Sequence, residues 1–431
     1  MKRLSQLMAL GTLLTTLGFA QDLAGDWQGT LKEGPQEIRA IVRIASSDSG
    51  GLEATLFSID QSPDRGIGMS ADSVSLDGPT IRFAISQIRG SFEGKLSDDA
   101  TSISGTWTQG QPLPLELRRA NSETAWSDPS PHTTQLVTVG DQVELEVLDW
   151  GGSGRPIVLL AGLGNSAHIF DKFAPKLTAG YHVFGITRRG FGASSAPPPV
   201  GDATYSADRL GDDVLAVLDA LKLERPVLAG HSLGGEELSS IGSRHPERVA
   251  GLIYLDAGYS YAYYDRSKGD FFIEVNEVRR QLDQLRSMPP DPMPLINELL
   301  ETSLPELERS LRRRQEQLKT AEASASPPTH QPRPQIPPIQ QAIHAGMQRH
   351  TVIDAPILAI YALEPVSGPQ GSRALPGGEA RNQMKLDQAR AFEAGLLSAR
   401  VIRLADANHF VFLSNEADVL REMEAFIEGL P

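Results

Sequence analysis

The sequence predicts two folded parts in series: a small all-β barrel or sandwich, then a larger α/β domain built on a mostly parallel sheet with helices on both faces. Three observations predict this. Short runs of alternating polar and apolar residues fill 25–119, a Pro- and Ser-bearing stretch follows at 120–135, and beyond it brief Val/Ile/Leu runs alternate with helical stretches. At 431 residues the chain is long enough for one large domain and a smaller companion.

The chain opens MKRLSQLMALGTLLTTLGFA, with Lys2 and Arg3 before an apolar stretch and Gly18 and Ala20 at the small-residue positions of an export-signal cleavage site. Cleavage is expected after Ala20. Thr12, Thr15 and Thr16 interrupt the apolar run, which falls short of the roughly 20 residues a membrane span needs. With no cysteine to carry a lipid, the expected protein is exported, periplasmic or extracellular, without a stable membrane anchor.

The all-β domain is read as 21–119. Runs such as EIRAIVRIA, LEATLFSID, TIRFAISQI and TSISGTWTQ are separated by turn chemistry in SSDSGG, LDGP and SDDA, giving roughly eight strands. Trp27 and Trp107 are expected to fill its core. The stretch 120–135 reads as a linker, and 136–431 as the α/β domain. Its strands are RPIVLLAG, YHVFGIT, RPVLAG, GLIYLDA, PILAIYA and ARVIRLA, apolar enough to be buried on both faces. Between the fourth and fifth lies an insertion at about 260–351, too long for an ordinary connection. Its first part, from Asp270 to about Gln317, has helical spacing, whereas SASPPTHQPRPQIPPIQQ is Pro-rich and expected to be extended. An insertion at the carboxyl ends of parallel strands is placed to cap a pocket.

A formal net charge of −14 argues against nucleic acid or anionic membrane as partners and leaves small molecules. The absence of cysteine removes disulfides, thiolate nucleophiles and Cys-based zinc sites. No feature of the sequence sets an oligomeric state.

The strongest chemical signal is Gly230-His231-Ser232-Leu233-Gly234, preceded by the apolar run PVLA and followed by the helical GEELSSIGSRHPERV. Strand, sharp turn and helix expose a serine hydroxyl on a strained turn, beside a helix N-terminus that favours negative charge. Ser232 is therefore the candidate nucleophile.

With this motif the chain resembles the α/β-hydrolase superfamily, in its serine esterase and lipase-like branch, over roughly Gln135 to Pro431. LLAGLGNSAHIF looks like the family's oxyanion turn, with Ala161 where a histidine is usual. The resemblance thus assigns the oxyanion donors to the backbone N–H groups of Leu163 and Leu233. ITRRGFGASS is similar to the family's structural D-x-R-G-x-G-x-S turn, with Thr187 in place of the acid. In DANHFVFLSNEADVLREMEAFI, His409 follows the last strand, where the superfamily keeps its catalytic histidine. The other histidines considered, His168, His231, His245, His330, His344 and His350, suit that role less well.

The acid that orients His409 has two candidates. Asp256 leaves the strand LIYLDA, and Glu364 follows PILAIYA; Asp256 is favoured because a short acid at a buried strand exit is easier to hold. Glu236 and Glu237 suit the N-terminal dipole of their helix, although one of them could face the pocket. Tyr259, Tyr261, Tyr263 and Tyr264 either line the entrance or anchor the cap.

The expected function is that of a secreted serine hydrolase that cleaves an ester-like small-molecule substrate through an acyl-enzyme, with no metal or organic cofactor. A serine at the elbow argues against the epoxide-hydrolase and dehalogenase branches, which use a carboxylate. The alternative is a non-catalytic binding or surface protein with an inactive hydrolase domain.

Overall fold

The computed structural model describes residues 23–33, 36–46, 51–58, 69–121, 131–200, 202–324, 336–365 and 378–431. The proposed export segment lies outside them. The chain divides into two compact units, Met1–Pro131 and His132–Pro431.

In the first unit nine strands form one antiparallel sheet: β1 Gly25–Glu33, β2 Gln36–Ser46, β3 Leu52–Ser58, β4 Met69–Ser70, β5 Ser73–Asp77, β6 Thr80–Ile85, β7 Gly90–Leu96, β8 Ser102–Gln109 and β9 Gln111–Arg119. Their order is β4-β3-β2-β1-β9-β8-β7-β6-β5. Every neighbour is consecutive in sequence except the β1–β9 pair, so the sheet is an up-and-down half-barrel and not a sandwich. Its two edges meet at residues 71–72, where Ala71 N–H donates to Ala54 O and Asp72 N–H to Ala84 O, both at 2.8 Å. The alternation predicts roughly eight strands; the extra one, β4, has two residues, too few to show a period. Alternate residues fill the interior, among them Trp27, Phe83, Phe92, Ile103, Trp107 and Leu117. Trp27 satisfies its indole N–H on Leu23 O at 2.8 Å, as a buried tryptophan must.

The second unit carries β10 Thr133–Thr138, β11 Glu144–Gly151, β12 Pro156–Leu160, β13 His182–Ile186, β14 Val227–His231, β15 Gly251–Leu255, β16 Ile357–Ala362 and β17 Ala399–Leu404, in the order β10-β11-β13-β12-β14-β15-β16-β17. Strand β11 runs antiparallel to both its neighbours, β10 and β13, and the six strands β12 to β17 run parallel. Strands β14, β15 and β16 are buried throughout, which is why they read as unbroken apolar runs. Strand β10 begins at Thr133, inside the stretch read as linker, because its exposed, Thr- and Gln-bearing edge position hides the strand pattern.

The helices are α1 Ala207–Ala220, α2 Gly234–Arg244, α3 Phe271–Arg286, α4 Met293–Glu298, α5 Leu304–Ser324, α6 Pro338–Ala345, α7 Gly378–Gly395, α8 Val411–Ser414 and α9 Glu416–Glu428. Two hydrophobic cores lie on the sheet, one under α1, α2 and α7, the other under 167–177, α8 and α9.

The insertion holds α3 to α6. The first three occupy the part expected to be helical. The Pro-rich stretch departs from expectation at its end: Pro338–Gln341, read as extended, opens helix α6. Proline at a first helical turn gives up only an N–H that has no partner there, so Pro337 and Pro338 start this helix instead of preventing one. Residues 325–335, including His330, lie outside the described residues. Arg349 ties the insertion together, reaching Glu306 at 2.6 Å, Glu277 at 3.2 Å and Glu298 at 3.4 Å. Helix α6 sets Ile339 and Ile343 in one apolar cluster with Leu163, Leu210 and Leu233. The insertion thereby packs on the side chains flanking the candidate site.

Candidate active site

Ser232 stands between the last residue of β14 and the start of α2, with φ at +48°, a conformation that is uncommon for a side-chain-bearing residue. The flanking glycines are needed for the turn. A Cβ on Gly230 would lie 2.7 Å from Gly234 C, and one on Gly234 would lie 2.9 Å from Leu160 O. The strain thus follows from closing the chain tightly between strand and helix, and it projects the serine side chain outward.

Three side chains form a hydrogen-bonded line. His409 Nε2 lies 2.9 Å from Ser232 Oγ, and His409 Nδ1 lies 2.7 Å from Asp256 Oδ2. His409 comes from the loop between β17 and α8, and Asp256 from the exit of β15, itself strained at φ +45°. Exposure is graded along the line: the His409 side chain is 41% exposed and that of Asp256 0%. The serine and imidazole therefore meet solvent while the acid is sealed behind them.

Asp256 is heavily supported. Its Oδ1 accepts the Ala362 N–H at 3.0 Å; its Oδ2 accepts the Tyr259 hydroxyl at 3.0 Å and Lys385 Nζ at 2.8 Å in addition to His409. Burial alone would raise its pKa, but the His409 hydrogen bond and the Lys385 charge outweigh it and hold the carboxyl below the usual range. Glu364, the other candidate acid, is turned to Arg381 in an ion pair with a shortest approach of 2.6 Å, and no hydrogen bond joins it to His409 among the described residues.

The 161–164 turn lies against the elbow. A Cβ on Gly162 would lie 3.0 Å from Ser232 Cβ and 2.9 Å from His231 Nδ1. Among the described residues neither the Leu163 nor the Leu233 N–H finds a main-chain acceptor. The turn is held from behind by Arg188, whose Nη2 donates to Ala161 O at 2.9 Å and whose Nε pairs with Glu237 Oε1 at 2.5 Å. Glu237 is thus a buried counter-ion, not a solvated dipole partner. Glu236 is buried as well, 1% exposed, and neither carboxyl oxygen meets a hydrogen-bond partner among the described residues. Burial, and after it the neighbouring Glu237, push its carboxyl well above the usual range.

Thr187 stands where the resembled turn carries an acid, and Glu146 of β11 supplies the carboxylate in its place: Thr187 Oγ1 donates to Glu146 Oε2 at 2.5 Å and accepts the Ala167 N–H at 2.9 Å. His231 lies behind His409, bonding its backbone O at 2.9 Å; burial, then the His409 charge, drop its pKa to about 3, which makes it a neutral support. Among the four tyrosines, Tyr259 bonds the acid, Tyr261 has its hydroxyl against Ser232, Tyr263 packs edge-on to Phe392 and Tyr264 bonds Glu274. The first pair belongs to the site and the second anchors the insertion. The supporting residues Lys385 and Arg188 are missed by sequence reasoning. Arg188 is visible only as part of ITRRGFG, and Lys385, 129 positions from Asp256, leaves no local signal.

Residues 155–289 match the family model described as the alpha/beta hydrolase fold. Similar curated proteins include a fluoroacetate dehalogenase of Burkholderia sp, 34% identical over 132 residues, 30% of this chain and 43% of that protein. Epoxide hydrolase A of Mycobacterium tuberculosis is 36% identical over 124 residues, 28% of this chain and 38% of that protein. A 2-hydroxymuconate semialdehyde hydrolase of Pseudomonas sp. strain CF600 is 34% identical over 114 residues, 26% of this chain and 39% of that protein. The chain spans less than half the length of each of these relatives. With the β10-β11-β13-β12-β14-β15-β16-β17 sheet, the strained elbow between β14 and α2 and this family match, the second unit has the α/β-hydrolase fold.

Proposed function

We propose that this chain is an exported serine hydrolase that cleaves ester-like acyl bonds of small molecules. The observation that carries the reading is the line Ser232–His409–Asp256, with contacts of 2.9 and 2.7 Å. His409 Nε2 takes the Ser232 hydroxyl proton as Oγ bonds to the acyl carbon, and the carbonyl oxygen becomes an oxyanion between the Leu163 and Leu233 N–H groups. Asp256 keeps the proton on His409 Nδ1 and stabilises the imidazolium. The imidazolium then gives its Nε2 proton to the leaving alkoxide, the bond to the alcohol breaks, and an acyl-Ser232 ester remains. Water, deprotonated by His409, attacks that ester, the acyl–Oγ bond breaks as the imidazolium returns the proton to Ser232 Oγ, and the acid is released. Because the oxyanion donors are backbone groups, Ala161 in place of a histidine takes nothing from this step.

Although a dehalogenase and an epoxide hydrolase are among the similar proteins, Ser232 at the elbow favours acyl transfer over the carboxylate-nucleophile chemistry of those branches. The reading of an inactive hydrolase is disfavoured by the 2.7 Å Asp256–His409 contact. The test is reaction of purified protein with a fluorophosphonate probe and with short p-nitrophenyl esters, wild type beside Ser232→Ala. Labelling and hydrolysis that vanish together in the variant support the proposal; a folded wild type that is neither labelled nor active overturns it.

A further inference from the structure

On the other side of the helical segment that follows the oxyanion turn, three side chains converge that the proposed reaction does not use. His168 and Asp171 come from residues 167–173, and His132 from the chain just before β10. His132 Nδ1 lies 3.1 Å from Asp171 Oδ1, and His168 Nδ1 lies 3.1 Å from Asp171 Oδ2. One ligand atom from each residue falls within 4.8 Å of the others. The side chains of His132, His168 and Asp171 are 5%, 1% and 9% exposed, and the Trp150 indole closes one wall edge-on to His132, with ring centroids 5.7 Å apart.

Two features set this cluster apart from an ordinary buried ion pair. The first is the second nitrogen of His168, Nε2, 3.3 Å from Glu146 Oε1. Each ring nitrogen of His168 thus meets a carboxylate oxygen, an arrangement that holds one positive charge among them, as the imidazolium proton or as a metal ion in its place. A histidine whose far nitrogen is held by a carboxylate is the arrangement that orients metal ligands. The second is that the His132–Asp171 contact, at 3.1 Å, falls outside hydrogen-bond geometry. Ligand atoms around a tetrahedral zinc ion, each about 2.0–2.1 Å from it, stand roughly 3.3 Å apart, and each histidine approaches its own Asp171 oxygen at close to that spacing.

We propose that His132 Nδ1, His168 Nδ1 and the Asp171 carboxylate form a binding site for one divalent transition metal of the zinc class, with Glu146 orienting His168. Two imidazoles and one carboxylate favour zinc over calcium or magnesium, which take oxygen ligands, and three protein ligands leave a fourth position for water. The role is structural. The ion ties residue 132 to the segment that begins four residues after Leu163, and Glu146 links it through Thr187 to the Ala167 main chain.

The experiment uses the full chain without a histidine tag, dialysed against chelator and then titrated with zinc chloride, with bound metal counted by mass spectrometry and melting followed in parallel. One equivalent per chain is expected, with a rise in melting temperature on zinc addition. His132→Gln should weaken binding by ~100-fold or more, and Glu146→Gln by roughly 10- to 100-fold. Cobalt on the wild type provides a readout that needs no variant: an intense tetrahedral visible band is expected. Absence of stoichiometric zinc binding, a weak octahedral cobalt spectrum, or unchanged zinc affinity in His132→Gln would each overturn the site and leave a buried histidine–carboxylate network.

Discussion

Replacing Lys385 by methionine removes a buried positive charge from the back of the proposed triad while keeping most of the side chain's apolar length. Lys385 Nζ and His409 Nδ1 both sit on Asp256 Oδ2, at 2.8 and 2.7 Å, so they are no more than about 5.5 Å apart. Two like charges at that distance repel by about 3 kcal/mol at an effective dielectric of 20 and about 0.8 kcal/mol at that of water, which is roughly two to half a pH unit. Lys385 thus opposes the positive charge that His409 takes up from Ser232, and its removal relieves that repulsion. Because the base acts in its neutral form, the acid limb of kcat/KM against pH should move upward by about half to two units. Breaking one side of a buried ion pair also costs about 3–5 kcal/mol of stability, so melting curves must show the variant folded across the pH range. The assay is p-nitrophenyl ester hydrolysis from pH 4 to 9. An acid limb that stays in place or moves downward in a folded variant would refute the reasoning and reduce Lys385 to packing.

Asp256→Asn should lower turnover by about 10⁴-fold with short esters, while Glu364→Gln stays near wild type, since only the former loses the His409 contact. The pH dependence of folding has a definite sign at the same residue. The depressed folded-state pKa of Asp256 means that its stabilisation is present above the ordinary carboxylate pKa of about 3.9 and is lost as pH falls through the lower folded value, so Asp256→Asn should flatten the acid side of a stability curve measured by denaturant titration. Gly162→Ala pushes a methyl to 3.0 Å from Ser232 Cβ and must shift the Leu163 N–H; a fall in kcat of about 10²–10³ with a small change in melting temperature is expected, and equal kcat would place the oxyanion elsewhere. The proposed cleavage after Ala20 predicts that N-terminal sequencing of the mature chain begins at Gln21.

How much of this was legible in the sequence depends on whether the cause is local. The alternating runs of β2, β6 and β8 and the apolar runs of β14, β15 and β16 are direct images of one-faced and two-faced burial, so both fold classes were readable. The setting of Ser232 was readable for a related reason: its glycines, strand and helix are contiguous. Strands β4 and β10 were not, the one too short for a period and the other an exposed edge. The Pro-rich start of α6 misled because proline marks a helix beginning as readily as a break.

What the sequence by itself determined is the kind of chemistry on offer, a serine on a strand–turn–helix elbow and a histidine after the last strand. Which acid meets that histidine was decided only by tertiary structure. Asp256 and Glu364 leave adjacent parallel strands, β15 and β16, and local pattern separates them only by the shorter acid at a buried strand exit that favours Asp256. The sheet carries the first to 2.7 Å from His409, while Arg381 on α7 takes the second. The same holds for the supports: Lys385 reaches Asp256 across 129 residues, Arg188 reaches the oxyanion turn across 27, and Glu146 fills the place of an acid that Thr187 lacks. Contacts between distant parts of the chain leave no periodicity or spacing to read, because they are fixed by packing in three dimensions and not by the order of residues.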